Sequence, residues 1–141
     1  MLRVRDGQRQ RGHRAAGCRL DGRAVRGDGH RLFVVEVPAG ELIEELNRQA
    51  VEAGVTDAAI VSLIGAADSF TVSTMPEGDA LKDTVTQYDL PGEMTGTGEI
   101  RDGFVHLHVV MGVEGDRAVA GHLHEARIGA HFARAYVIPV V

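Results

Sequence analysis

Phe104-Val105-His106-Leu107-His108-Val109-Val110-Met111-Gly112-Val113, the turn Glu114-Gly115-Asp116 and the run Ala118–Ile128 with His122-Leu123-His124 decide the fold. Successive side chains of a strand point to opposite faces. Val105, Leu107 and Val109 therefore share one face of the first run, and His106 and His108 share the other. The turn returns the second run alongside the first, as an antiparallel neighbour. Upstream, Arg101-Asp102-Gly103 is a good hairpin turn because Asp-Gly tolerates positive φ, and it pairs the first run with Thr95–Ile100.

The pattern continues outward in both directions. Thr84–Leu90 has β character and ends at the turn Pro91-Gly92, while residues 75–83 read as a loop. Ser69–Thr74 alternates like a strand with one wet face, and Ala58–Ala66 reads as a buried strand with a bulge marked by Gly65. Leu32–Val37 is a short strand stopped by Pro38, and Ala130–Val140 is a final strand carrying His131. One helix is expected over Glu41–Ala53. Leu42, Leu46, Ala50 and Ala53 fall at helical spacing, glutamates crowd the first turn, and Gly54 supplies the stop. About seven strands with one or two helices predict an α+β domain built on a curved, mostly antiparallel sheet.

The chain has 141 residues, of which 44% are hydrophobic, enough for one domain with a real core. A single cysteine, Cys18, excludes an internal disulfide framework and a Cys-rich zinc module. No run of 18 apolar residues suggests a membrane span, and no apolar signal segment opens the chain, so a cytoplasmic location is expected. Charge divides the chain sharply. Residues 1–31 hold nine Arg against three Asp, a balance of +6, whereas residues 32–141 hold five Arg and Lys82 against seventeen acids, a balance of −11. Residues 1–30 thus read as a basic, Arg/Gly-rich, poorly ordered leader before a domain over 31–141. The leader is either a non-native upstream extension or an arm that grips DNA phosphate through Arg9, Arg11 and Arg14.

The histidines carry the chemistry. Two imidazoles two residues apart on one strand face stand about 7 Å apart at the backbone and can converge on one ion. His122, on the returning strand, is the leading third ligand for His106 and His108. Three neutral imidazoles suit Zn²⁺ and leave a fourth position for water or a small anionic ligand; nickel, copper or iron also accept imidazole. The competing reading is of half-exposed histidines bonded to neighbours or water. His124 is either an additional ligand or paired with a carboxylate, and Glu125 either holds an imidazole N–H or is a surface acid. If the site performs chemistry, Glu125 or Glu99 is the acid placed to act as base, although no residue is assigned as catalytic. Dinucleotide, P-loop and nucleophile-elbow motifs are missing, and the lack of Trp disfavours a stacking platform for single strands.

Gly98-Glu99-Ile100, His106-Leu107-His108-Val109, Val119-Ala120-Gly121-His122-Leu123-His124-Glu125-Ala126 and Tyr136-Val137-Ile138 together resemble the PPC domain, named for plants and prokaryotes. The resemblance spans about residues 31–141, and its most specific part is the His-x-His followed by Gly-His-Leu. It implies a seven-stranded sheet with helices, assembled as a homotrimer. It also implies a bound metal, as in some archaeal and bacterial members, at His106, His108 and His122. His124 stands where many relatives have Leu. Plant members add AT-hooks and act in transcription, with the domain mediating assembly. Here Gln8-Arg9-Gln10-Arg11-Gly12-His13-Arg14 resembles an AT-hook lacking its Pro. Two functions follow: a trimeric metal-binding module, or a DNA-associated regulator that oligomerises through the domain and contacts DNA through the leader.

Overall fold

The computed structural model describes residues 32–140. Its elements run β1 (Phe33–Val37), β2 (Gly40–Glu41), α1 (Leu42–Glu52), β3 (Ala58–Ala67), β4 (Ser69–Thr74) and β5 (Thr84–Tyr88), then β6 (Gly92–Arg101), β7 (Phe104–Val113), β8 (Arg117–Ile128) and β9 (Ala133–Pro139). All pairings among them are antiparallel. The spatial order is β1-β9-β3-β6-β7-β8-β4-β5, with β2 added against β8. The expected antiparallel sheet with a helix is present. Among the described residues its strands number nine rather than about seven, in part because a two-residue strand such as β2 leaves no periodic signature.

Connectivity forces the sheet to roll. β3 and β4 are separated in sequence by Asp68 alone, yet β6, β7 and β8 lie between them in the sheet. Four strand spacings in a flat sheet would part them by about 19 Å. A one-residue link spans only about 7 Å. The sheet must curl until the end of β3 meets the start of β4. Asp68 fastens the corner: its N–H donates to the Arg127 carbonyl at 2.8 Å, and its carboxylate accepts from the Ala130 N–H at 3.2 Å.

The inside of the curl holds the core, including Ile60, Leu63, Phe70, Leu107, Met111 and Leu123. Helix α1 closes it with Leu42, Leu46 and Ala50, all buried. Burying each leucine contributes about 1.5–3 kcal/mol. Side-chain clamps fix the helix to the histidine-bearing strands. Glu41, the N-cap, accepts from the Glu44 N–H at 2.8 Å through one oxygen and from the Ala126 N–H of β8 at 3.0 Å through the other. Asn47 accepts from the Val105 N–H of β7 at 2.9 Å, one residue before His106. On the outer face of the helix Arg48 pairs with Glu45 and Glu52.

Several boundaries move. Glu41 and Ala53 cap the helix from outside it, and Gly54 follows at φ 69° as the expected stop. Gly92 opens β6 rather than ending a turn. The register shift in β3 falls at Val61–Ser62, not at Gly65. Gly65 serves a different need: at φ 152°, a Cβ there would sit 2.2 Å from the Phe132 carbonyl oxygen. His131 lies between β8 and β9 and not on a strand, because β9 begins only at Ala133. The two hairpin turns match expectation, with Asp102, Gly103, Gly115 and Asp116 all at positive φ.

Candidate metal centre

β7 alternates as its sequence dictates, with Leu107 and Val109 buried inward and His106 and His108 exposed on the outer face. The β7–β8 ladder sets His122 directly opposite His108. One ring nitrogen from each of His106, His108 and His122 lies within 4.8 Å of the other two. Ring centroids stand 4.7 Å apart for His106–His122, 5.2 Å for His106–His108 and 5.6 Å for His108–His122. Ligand atoms on a tetrahedral zinc are separated by about 3.3 Å. Small side-chain rotations therefore bring the three nitrogens to coordinating distance.

His122 is the least exposed of the three, wedged between β7 and β4. The approach is tight because of Gly121, where a Cβ would meet the Ser73 carbonyl oxygen at 2.4 Å. The Nδ1 of His122 is buried and finds no hydrogen-bond partner among the described residues. Such an atom is costly to leave unpaired. Burial lowers the pKa of His122, and charge on His106, His124 and His108 lowers it further, against a smaller opposing pull from Asp83. The ring thus favours the neutral form, which is the form that binds a cation. Three imidazoles gathered in this way, one with a buried ring nitrogen that lacks a partner among the described residues, fit a transition metal.

The remaining candidates sort clearly. His124 stacks edge-on against His122 at 4.8 Å, but it lies outside the three-nitrogen cluster. It is the extra residue of a bulge in β8: Thr71 of β4 pairs with Glu125, whereas Val72 pairs with Leu123. The bulge turns Glu125 outward, where it makes no ion pair among the described residues. The carboxylate beside the histidines is instead Glu99, whose Oε1 is 3.8 Å from the Nδ1 of His106. Asp83, just before β5, escapes sequence reasoning because only the pairing of β4 with both β5 and β8 brings it near His122. Arg9, Arg11 and Arg14 lie outside the described residues.

The family model described as the Plants and Prokaryotes Conserved (PCC) domain matches residues 24–140. The chain belongs to this family. Solved structures of similar fold agree with its architecture. A plant- and prokaryote-conserved (PPC) protein from Pyrococcus horikoshii is 22% identical with a TM-score of 0.69, covering 79% of each chain. A metal-containing protein from Archaeoglobus fulgidus is 23% identical with a TM-score of 0.66, over 77% of this chain and 78% of that one. A protein from Ralstonia eutropha with a provisional DNA-binding designation is 19% identical with a TM-score of 0.63, over 78% and 77%. At such identities these likenesses establish the PCC fold alone. No curated protein matches the chain. Among the described residues no helix is long and apolar enough to cross a membrane.

Proposed function

We propose that this chain is a PCC-domain metal-binding module that holds zinc through His106, His108 and His122, offers the remaining position to a small anionic ligand, and assembles as a homotrimer. The observation carrying the reading is the approach of three imidazole nitrogens, one from each histidine, to within 4.8 Å of one another. Three neutral donors leave the charge of a divalent ion uncompensated, so an anion is the natural fourth partner. Zinc, when bound, supplies Lewis acidity and acidifies water. The protein's own residues set the rest: β7 and β8 fix the donors, burial keeps His122 neutral, and Glu99 adds one negative charge beside His106. The metal-containing relative from Archaeoglobus fulgidus supports the same reading.

Elemental analysis combined with mass in solution tests it. The expected result is about one zinc per chain on a particle of three 15.1-kDa chains, with the metal lost from His106→Ala and His108→Ala. A metal-free protein that both substitutions leave unchanged overturns the site. A particle of one chain removes the trimer and leaves the site standing.

A second reading rests on the nine arginines of residues 1–31 and on the DNA-binding designation of the Ralstonia relative. In that reading the domain gathers several basic arms and the arms contact DNA. The −11 balance of residues 32–141 repels phosphate and ranks it second.

A further inference from the structure

Within the proposed zinc site, and resting on it, we infer that Glu99 is a positioning residue that selects which nitrogen of His106 faces the metal. Glu99 and His106 are register partners across β6 and β7. The carboxylate Oε1 stands 3.8 Å from the Nδ1 of His106, with both side chains about half exposed. A further approach of under 1 Å makes this a hydrogen bond. Two features of the backbone press the pair together. Gly98 precedes Glu99, and a Cβ on Gly98 would fall 2.0 Å from the His106 carbonyl oxygen, so β6 and β7 are closer there than side-chain-bearing residues allow. On the far side, Asn47 holds the N–H of Val105 and fixes the strand immediately before His106.

A carboxylate beside one ring nitrogen favours the tautomer whose proton sits on that nitrogen. Glu99 accordingly keeps the proton of His106 on Nδ1 and leaves the Nε2 lone pair for the ion. Such partners orient the ring and raise its basicity, and their loss costs about 10–100-fold in metal affinity. His108 has no equivalent, since its register partner on β6 is Thr97. Glu93 lies on the same strand and the same exposed face but pairs with Gly112, away from the histidines. It is the natural control for charge without position.

The test uses the full chain as wild type, Glu99→Ala, Glu99→Gln and Glu93→Ala, with folding checked by circular dichroism. Nitrogen-15 NMR of the imidazoles in metal-free protein at about pH 8, above the model imidazole value of about 6.5, reads the tautomer. Zinc affinity is read by competition with a chelator. The proposal expects an Nδ1-protonated His106 in wild type and Glu93→Ala, and loss of that preference in Glu99→Ala. It expects zinc binding about 10–100-fold weaker in Glu99→Ala, partly recovered in Glu99→Gln, whose amide oxygen still accepts. An unchanged tautomer and affinity in Glu99→Ala overturn it. An equal loss in Glu93→Ala also overturns it, since bulk charge then explains the effect. If wild type takes no zinc but shows the Nδ1 tautomer, the zinc reading falls and the orienting role of Glu99 stands.

Discussion

His122 shows how a single residue links the site to stability. Its pKa lies below the ordinary 6.5, first because it is buried and then because His106, His124 and His108 surround it. The unfolded chain therefore takes up this proton at a higher pH than the folded one does. Below about pH 6.5 protonation favours unfolding, so stability is present above that value and drains away as the pH falls towards the depressed folded value. Metal-free protein should lose urea resistance between about pH 7.5 and 5.5, and His122→Asn should flatten that slope. An identical slope in the variant would remove His122 as the cause. At this scale the sequence was readable wherever alternation was uninterrupted: His106, His108 and His122 follow from period two and one turn. Glu125 faces outward because the bulge at His124 resets the alternation after Leu123. Glu99, the other acid the sequence offers, stands beside His106 across the β6–β7 ladder.

Elements were legible when their signals were local. The helix announced itself by spacing and caps, and the two hairpins by Asp-Gly and Gly-Asp turns. What stayed hidden depended on contacts with distant segments. Gly98 carries no local signature, yet its missing side chain lets β6 lie against the His106 carbonyl. Gly98→Ala should cost about 1–3 kcal/mol, as overpacking of a close contact does, and should weaken zinc binding by displacing His106. Chemical denaturation and chelator competition on the same sample check both effects. In the helix, Leu46→Ala should cost about 2–5 kcal/mol because its side chain is wholly inside the core. Its zinc affinity should stay near that of wild type, since Leu46 lies in the buried core whereas His106 and His108 stand on the exposed face of β7.

For the whole molecule, charge asymmetry separates the two functional readings. Deleting residues 1–30 removes most of the basic balance and none of the three histidines. The truncated protein should keep its fold and its zinc. If the arms bind DNA, the full chain should grip duplex in a steeply salt-dependent manner that vanishes on truncation. Gel-shift titrations at several salt concentrations decide it, and equal binding by both proteins would exclude the arms.

The one-residue corner at Asp68 has a bearing on how the chain assembles. All three imidazoles lie on a single hairpin, β7–β8, whose strands are joined by a short turn. Closing the curl instead requires β4, which arrives from some fifty residues earlier, to dock on β8. Hairpins form in about 1–10 μs, whereas pairings between distant segments take milliseconds to seconds. Phe70 pairs with Ala126 of β8 and lies in the core, and Tyr88 packs against that core from β5, so the surroundings of Tyr88 change when β4 docks. During refolding, capture of zinc should run ahead of the Tyr88 fluorescence change, making the ion an early visitor and not a final seal.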